Sequence, residues 1–270
     1  MNICRTILSV SAIAVFIGCS SNPVSEKNDS GTEPENVTDP VKVSVAKSDI
    51  QWQNIDIPQD QLTAQVASNN EFAVKMYHLL AEDGKNLFFS SHSIINALAM
   101  TAAGAKGETQ AQMRTAMQVS LDGDKFDEAV NAINFSLSEH SRITDGITLN
   151  TVNTTWAQNE MIFTDGYLDH LARYYNAGVN LLDFFNNPES SRMTINSWVE
   201  EQTNSCIKNL LPQGAITRDT RLVLTNAIYF LGEWHNRFNV DETKPAPFYL
   251  ADGSNVEVPF MNRKCLGSEK

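Results

Sequence analysis

Leu222-Val-Leu-Thr-Asn-Ala-Ile-Tyr-Phe-Leu-Gly-Glu-Trp234 is the stretch on which the fold turns. With Arg221 ahead of it, the run to Leu231 is apolar almost throughout, which suits a strand covered on both faces. Upstream, residues 147–156 are rich in β-branched side chains and partly alternate, so a second strand is expected there; residues 179–185 and 256–261 read as two more. Between these strands the apolar period changes to that of a helix. Phe72, Met76, Leu79 and Leu80 lie at helical spacing after Ser68, and Ser68 with Glu71 has the form of a capping box. A second helix is expected near Ser93, where Ile94, Ile95, Leu98, Ala99 and Ala102 make it apolar on most sides, and Gly104 and Gly107 punctuate it. Thr109 and Gln112 form another capping box before Met113 and Met117, and Phe126, Val130, Ile133 and Leu137 continue the helical register. Leu168, Leu171 and Tyr175 share one face of a helix over 166–175. Ile195, Trp198, Val199 and Gln202 mark a later helix entered through Pro188. No internal repeat is visible. The mixture predicts an α+β domain with helices packed on a large sheet.

The chain begins differently. Arg5, an apolar run over 7–17, and then Gly18 and Cys19 have the layout of a secretory signal. The run is shorter than the roughly 20 apolar residues that a membrane span needs. Phe16-Ile17-Gly18-Cys19 resembles a bacterial lipobox, in which the cysteine thiolate is diacylated, the leader is cut before it, and the new amine is acylated. Phe16 stands where that motif usually has Leu, and an ordinary leader with an incidental cysteine is the competing reading. Ser20 resembles the outer-membrane class of sorting signal. Residues from Ser20 to about Ile50 are mostly Ser, Asn, Asp, Glu, Pro and Lys, too polar to build a core. The expected plan is therefore a signal peptide over 1–18, a lipidated flexible tether over 19–58, and a folded domain over 59–270. The protein is expected to be exported, as a membrane-anchored lipoprotein of the outer membrane or as an extracellular protein.

Charge and motif content narrow the function further. Thirty-two acidic against 20 basic residues leave a net charge of −12, which repels phosphate backbones, so nucleic acid is not an expected partner. Cys4, Cys19, Cys206 and Cys265 match no zinc spacing, and at most one disulfide, between Cys206 and Cys265, is open to the domain. His78, His92, His140, His170 and His235 are scattered without ligand spacing. There is no His-Glu-x-x-His, no Gly-x-Ser-x-Gly and no Walker-type loop, so the expectation is a non-enzyme with no cofactor and no metal.

Three blocks carry a family resemblance. The first is Asn86-Leu-Phe-Phe-Ser-Ser-His-Ser-Ile-Ile-Asn-Ala-Leu-Ala-Met-Thr-Ala-Ala-Gly-Ala-Lys-Gly-Glu-Thr109 with Gln112 and Met113, and the second is Ile195-Asn-Ser-Trp-Val-Glu-Glu-Gln-Thr-Asn204 with Ile207, Leu210 and Leu211. The third is the opening stretch with Phe238, Thr243 and Phe248, followed by Phe260 and Met261. In order and spacing, from about Asp60 to Met261, they resemble the serpins, a family of protease inhibitors. The resemblance implies a large, mostly antiparallel main sheet, incomplete here at its C-terminal side. It implies suicide-substrate trapping of a serine or cysteine protease by loop insertion, and a monomer when the fold is complete. Ser90, Ser93 and Asn226 match a polar cluster under the sheet centre, and Trp234 matches the tryptophan at the top, where insertion starts. For Ser90 and Ser93 helix capping is the competing reading, and for Trp234 plain packing. Ser91 and His92 depart from the Pro and apolar residue usual in the first block, and Ser205-Cys206 from the Gly-Lys usual in the second. After Met261 the pattern stops, so the reactive loop with its scissile bond is expected to be absent and the chain inactive alone. The alternative is a non-inhibitory lipid-anchored interaction module or a degenerate remnant.

Overall fold

The computed structural model describes residues 7–18, 42–82 and 85–262. In chain order the elements are β1 (Ile7–Gly18), β2 (Ser44–Ala46), α1 (Gln59–Leu80), α2 (Ser91–Gly104), α3 (Gly107–Ala116), α4 (Lys125–Ile143), β3 (Ile147–Gln158), α5 (Asp165–Tyr175), β4 (Val179–Leu182), α6 (Pro188–Gln202), β5 (Thr220–Gly232), β6 (Lys244–Tyr249) and β7 (Asn255–Phe260). Five strands form the main sheet in the order β1-β5-β3-β4-β2, while β6 and β7 pair by themselves. Among the described residues only β3 and β4 run parallel, and α5 is the crossover that a parallel pair requires. The architecture is α+β with helices on a mostly antiparallel sheet, as expected.

Alternation along the two central strands divides the core. Trp156 of β3 and Val223 of β5 meet Ile195 of α6 and Leu211 in one buried cluster. Their neighbours Ala157 and Leu222 face the other way, toward Ile95 and Met100 of α2 and Phe126 of α4. Strand residues one apart point to opposite faces, so both β3 and β5 must be apolar on both sides, which is why they lack a clean polar alternation. Two glycines permit close approach. A Cβ on Gly104 would lie 3.2 Å from the Tyr167 ring, where α2 crosses α5, and a Cβ on Gly178 would lie 2.9 Å from the Ala46 main-chain oxygen, where β2 joins β4.

Several sequence expectations are corrected. Neither capping box forms. α1 begins at Gln59 behind Pro58, so Ser68 is mid-helix and buried, its hydroxyl 3.0 Å from that of Ser120. α3 begins at Gly107 behind Lys106, and Gln112 bonds back to Glu108. The first half of α1 escaped notice because its buried stripe is Gln61, Gln65 and Ser68, with Phe72 the first apolar member. Residues 42–58, assigned to the flexible tether, pack against the domain: β2 pairs with β4, Ser48 donates to Asp169 at 2.5 Å, and Trp52 lies against Phe135 with ring centroids 5.1 Å apart. The outer edge of β5 is lined by β1. β6 was not foreseen because Pro245 and Pro247 argue against a strand. In a two-stranded ribbon both strands are edges, and a proline nitrogen is tolerated on the side that faces no partner.

Candidate functional site

The polar residues that the resemblance singled out lie on and beneath the central strands. Ser90 caps α2, its hydroxyl accepting from the Ser93 amide at 3.3 Å, so capping is realised. Ser93 is fully buried, and its hydroxyl has no hydrogen-bond partner among the described residues. Asn226 is buried on β5 and donates through Nδ2 to Oδ1 of Asn153, its cross-strand neighbour on β3. No hydrogen bond joins Asn226 to Ser90 or Ser93 among the described residues. The hydroxyl of Thr155, next on the same face of β3, is likewise buried and unpartnered. A buried hydroxyl left unpaired costs on the order of 1–3 kcal/mol. The centre of the sheet is therefore less than fully satisfied in this arrangement.

Beside it lies a network that sequence reading missed. His92 Nε2 is 2.8 Å from Asn134 Oδ1 of α4, while Asn134 Nδ2 donates to Asn96 Oδ1 at 2.6 Å and Asn96 Nδ2 donates to the His92 carbonyl at 2.8 Å. The other ring nitrogen faces the Asn69 amide nitrogen at 3.4 Å. Asn96 Nδ2 also lies 3.2 Å from Nε2, so the hydrogen-bond partners of the ring are neutral amides, with no carboxylate among them. The available signal was Asn131 and Asn134 among the apolar positions of α4. Burial lowers the His92 pKa, with the Asn134 hydrogen bond opposing.

This sets a pH dependence. The unfolded chain takes up a proton near pH 6.5 while the folded one resists it to lower pH, so stability is intact above that value and falls as pH drops through it. The slope contributed by one such histidine is at most about 1.4 kcal/mol per pH unit. Urea midpoints from pH 7.5 to pH 5 should fall more steeply in the wild type than in His92→Gln; parallel curves would remove His92 as the cause.

Trp234 stands two positions beyond β5, is 37% exposed, and packs edge-on to Phe238 with ring centroids 5.4 Å apart. It is not a core residue. Cys19 and Cys265 lie outside the described residues; Cys206 is exposed. No helix among the described residues is long and apolar enough to cross a membrane, and none of them form a metal-ligand cluster.

The family description "Serpin (serine protease inhibitor)" matches residues 67–266. The chain belongs to the serpin family. An uncharacterized serpin-like protein of Methanosarcina acetivorans is 36% identical over 194 residues, covering 72% of this chain and 45% of the relative. Human Serpin B3 is 35% identical over 209 residues, covering 73% and 54%, and mouse antithrombin-III is 35% identical over 199 residues, covering 72% and 43%. Among solved structures, emu ovalbumin superposes with a TM-score of 0.65 at 28% identity, covering 73% of this chain and 54% of that one. Arabidopsis AtSerpin1 in its native stressed conformation also gives 0.65 at 28% identity, covering 78% and 53%. The chain thus spans about half the length of these serpins. Serpins are as a family protease inhibitors rather than enzymes, though some are non-inhibitory. One departure from the serpin pattern has a visible backbone consequence: Ser205, where the resemblance has glycine, adopts a left-handed φ of 60° directly after Asn204 at 48°. Left-handed backbone costs a non-glycine residue roughly 1–2 kcal/mol.

Proposed function

We propose that the protein is a serpin-type peptidase inhibitor, exported and held at a membrane by a lipid on Cys19. A target serine or cysteine protease attacks the scissile bond of a reactive loop, its nucleophile forming an acyl-enzyme. The cleaved loop then adds to the main sheet as a new strand beside β5 and carries the protease with it.

The observation that carries this reading is the pairing along β5. Its outer edge takes a strand of 12 residues, antiparallel, with Ile7 opposite Gly232 at one end and Gly18 opposite Thr220 at the other. That is the direction and length of edge an inserting loop would use. Cleavage before Cys19 removes β1 with the leader and opens this edge. Ser93 beneath the sheet and Thr155 on β3, both with unpartnered hydroxyls, fit a layer that can shift without breaking a side-chain hydrogen bond of theirs. Trp234 stands just past the end of β5 at which a loop would enter.

The test starts with the coding DNA beyond the Lys270 codon, read in all frames for the rest of a serpin fold. The encoded protein is then incubated with trypsin-like, elastase-like and papain-like proteases. The expected product is a complex that survives SDS, with the mass of the protease plus the inhibitor less its released C-terminal peptide. Cleavage at substrate rates with no such complex would place the protein among the non-inhibitory members. Mass spectrometry of the membrane fraction should find a Cys19 N-terminus carrying acyl chains, and Cys19→Ser should release the protein.

A further inference from the structure

The other side of the sheet has a gap that none of this uses. β4 enters beside β3 only at Val179, opposite Thr155. Ahead of it α5 runs to Tyr175, and Asn176 turns the chain in a left-handed conformation, φ 52°. β4 therefore cannot extend back along β3, and residues 149–154 of β3 border a cavity of about 530 Å³ in its place.

The phase of β3 tells which groups face that cavity. Leu149 donates its main-chain N–H not to β5 but to the Ser141 hydroxyl at 2.8 Å, and Asn159 donates to the Leu182 carbonyl at 3.0 Å on the β4 side. In an antiparallel ladder successive residues alternate between bonding the partner and pointing away from it. Thr151 and Asn153 share the phase of Leu149 and so turn their main-chain N–H and C=O groups into the cavity. Trp52 and Trp198 both line it, and not one lining residue carries a charge. In a chain of net charge −12 that is a marked local difference.

We propose that this gap is a docking slot for a short, extended, uncharged peptide segment, which adds to the free edge of β3 in line with β4. Two outward-facing residues of β3 address about four residues of an incoming strand at ~3.3 Å per residue. Alternate side chains of that strand meet the two indoles and the surrounding amides and hydroxyls. Main-chain pairing supplies affinity and these walls supply selectivity, the usual division in strand addition. Trp52 belongs to the segment ahead of residue 67, where the match to the family begins.

The probe is the capped tetrapeptide acetyl-Thr-Val-Thr-Val-amide, titrated into the whole chain by calorimetry and by tryptophan fluorescence. Saturable binding is expected, at least tenfold weaker for the same peptide N-methylated along its pairing edge. Thr151→Pro should weaken binding by a similar factor, because proline removes an N–H on the open side without touching the ladder to β5. Its urea midpoint, compared with wild type, shows that the fold is retained. Equal binding of the methylated peptide, no saturable binding up to millimolar peptide, or binding of maltose in place of the peptide would each overturn the proposal.

Discussion

Replacing Trp156 by alanine is expected to lower the unfolding free energy by about 3–5 kcal/mol, measured by urea denaturation followed by circular dichroism. Trp156 is only 1% exposed and sits on β3 facing α6, edge-on to Trp198 at 5.4 Å. Its indole N–H donates to the Thr225 hydroxyl on β5 at 2.9 Å. The substitution opens a large cavity between the sheet and α6 and removes an aromatic contact worth about 0.5–1.5 kcal/mol beyond its area. Trp156→Phe keeps most of the volume and loses the donor, so a smaller cost of about 1–2 kcal/mol is expected. If Trp156→Ala costs less than about 1 kcal/mol, α6 does not pack on the sheet as described.

The second large effect is expected at Asn131. This fully buried α4 side chain accepts from the Ile55 amide at 3.1 Å and donates to the carbonyls of Arg173 at 3.1 Å and Gln53 at 3.3 Å. One amide thus ties the segment ahead of α1 to the end of α5. Asn131→Ala leaves main-chain groups without their partner, at a cost of about 2–4 kcal/mol in urea denaturation. Amide exchange at Ile55 should accelerate with it, because that hydrogen bond is the one removed. A variant with unchanged Ile55 protection and unchanged midpoint would return residues 42–58 to the status of a loose tether.

Both predictions depend on features that differ in how far they can be read from residues alone. The helix stripe of α4 was legible because apolar side chains at a fixed period report which face is buried, β5 because an unbroken apolar run suits a strand covered on both faces, and β3 as a strand because of its β-branched residues. The order of the three serpin blocks along the chain made the family legible too. The first half of α1 was not, because its packed face is made of Gln61, Gln65 and Ser68, which hydrophobic periodicity scores as surface. Polar side chains become core residues only when a neighbour supplies their partners: the Gln61 amide reaches the Lys125 carbonyl at 2.9 Å, 64 positions away. The same holds for His92, whose scattered position gave no sign of Asn134 and Asn69 around its ring.

For the polar cluster beneath the sheet the division falls between neighbouring residues. Ser90 as an N-cap follows from local chemistry, since a serine ahead of an apolar helix accepts the first free amides whatever surrounds it. Ser93, three positions on, has no local partner, and only the packing of α2 beneath the sheet buries its hydroxyl unpaired.

The amino-acid sequence by itself determined the class, the family, and the strand and helix character of most of the domain, because those depend on periodicity and on the order of motifs. Tertiary structure alone decided that β1 lies along β5, that residues 42–58 join the domain, and that β4 starts too late to cover β3. Each of these depends on which main-chain edges meet across tens of residues. Main-chain hydrogen bonding is common to all side chains, so no local pattern of side chains encodes it.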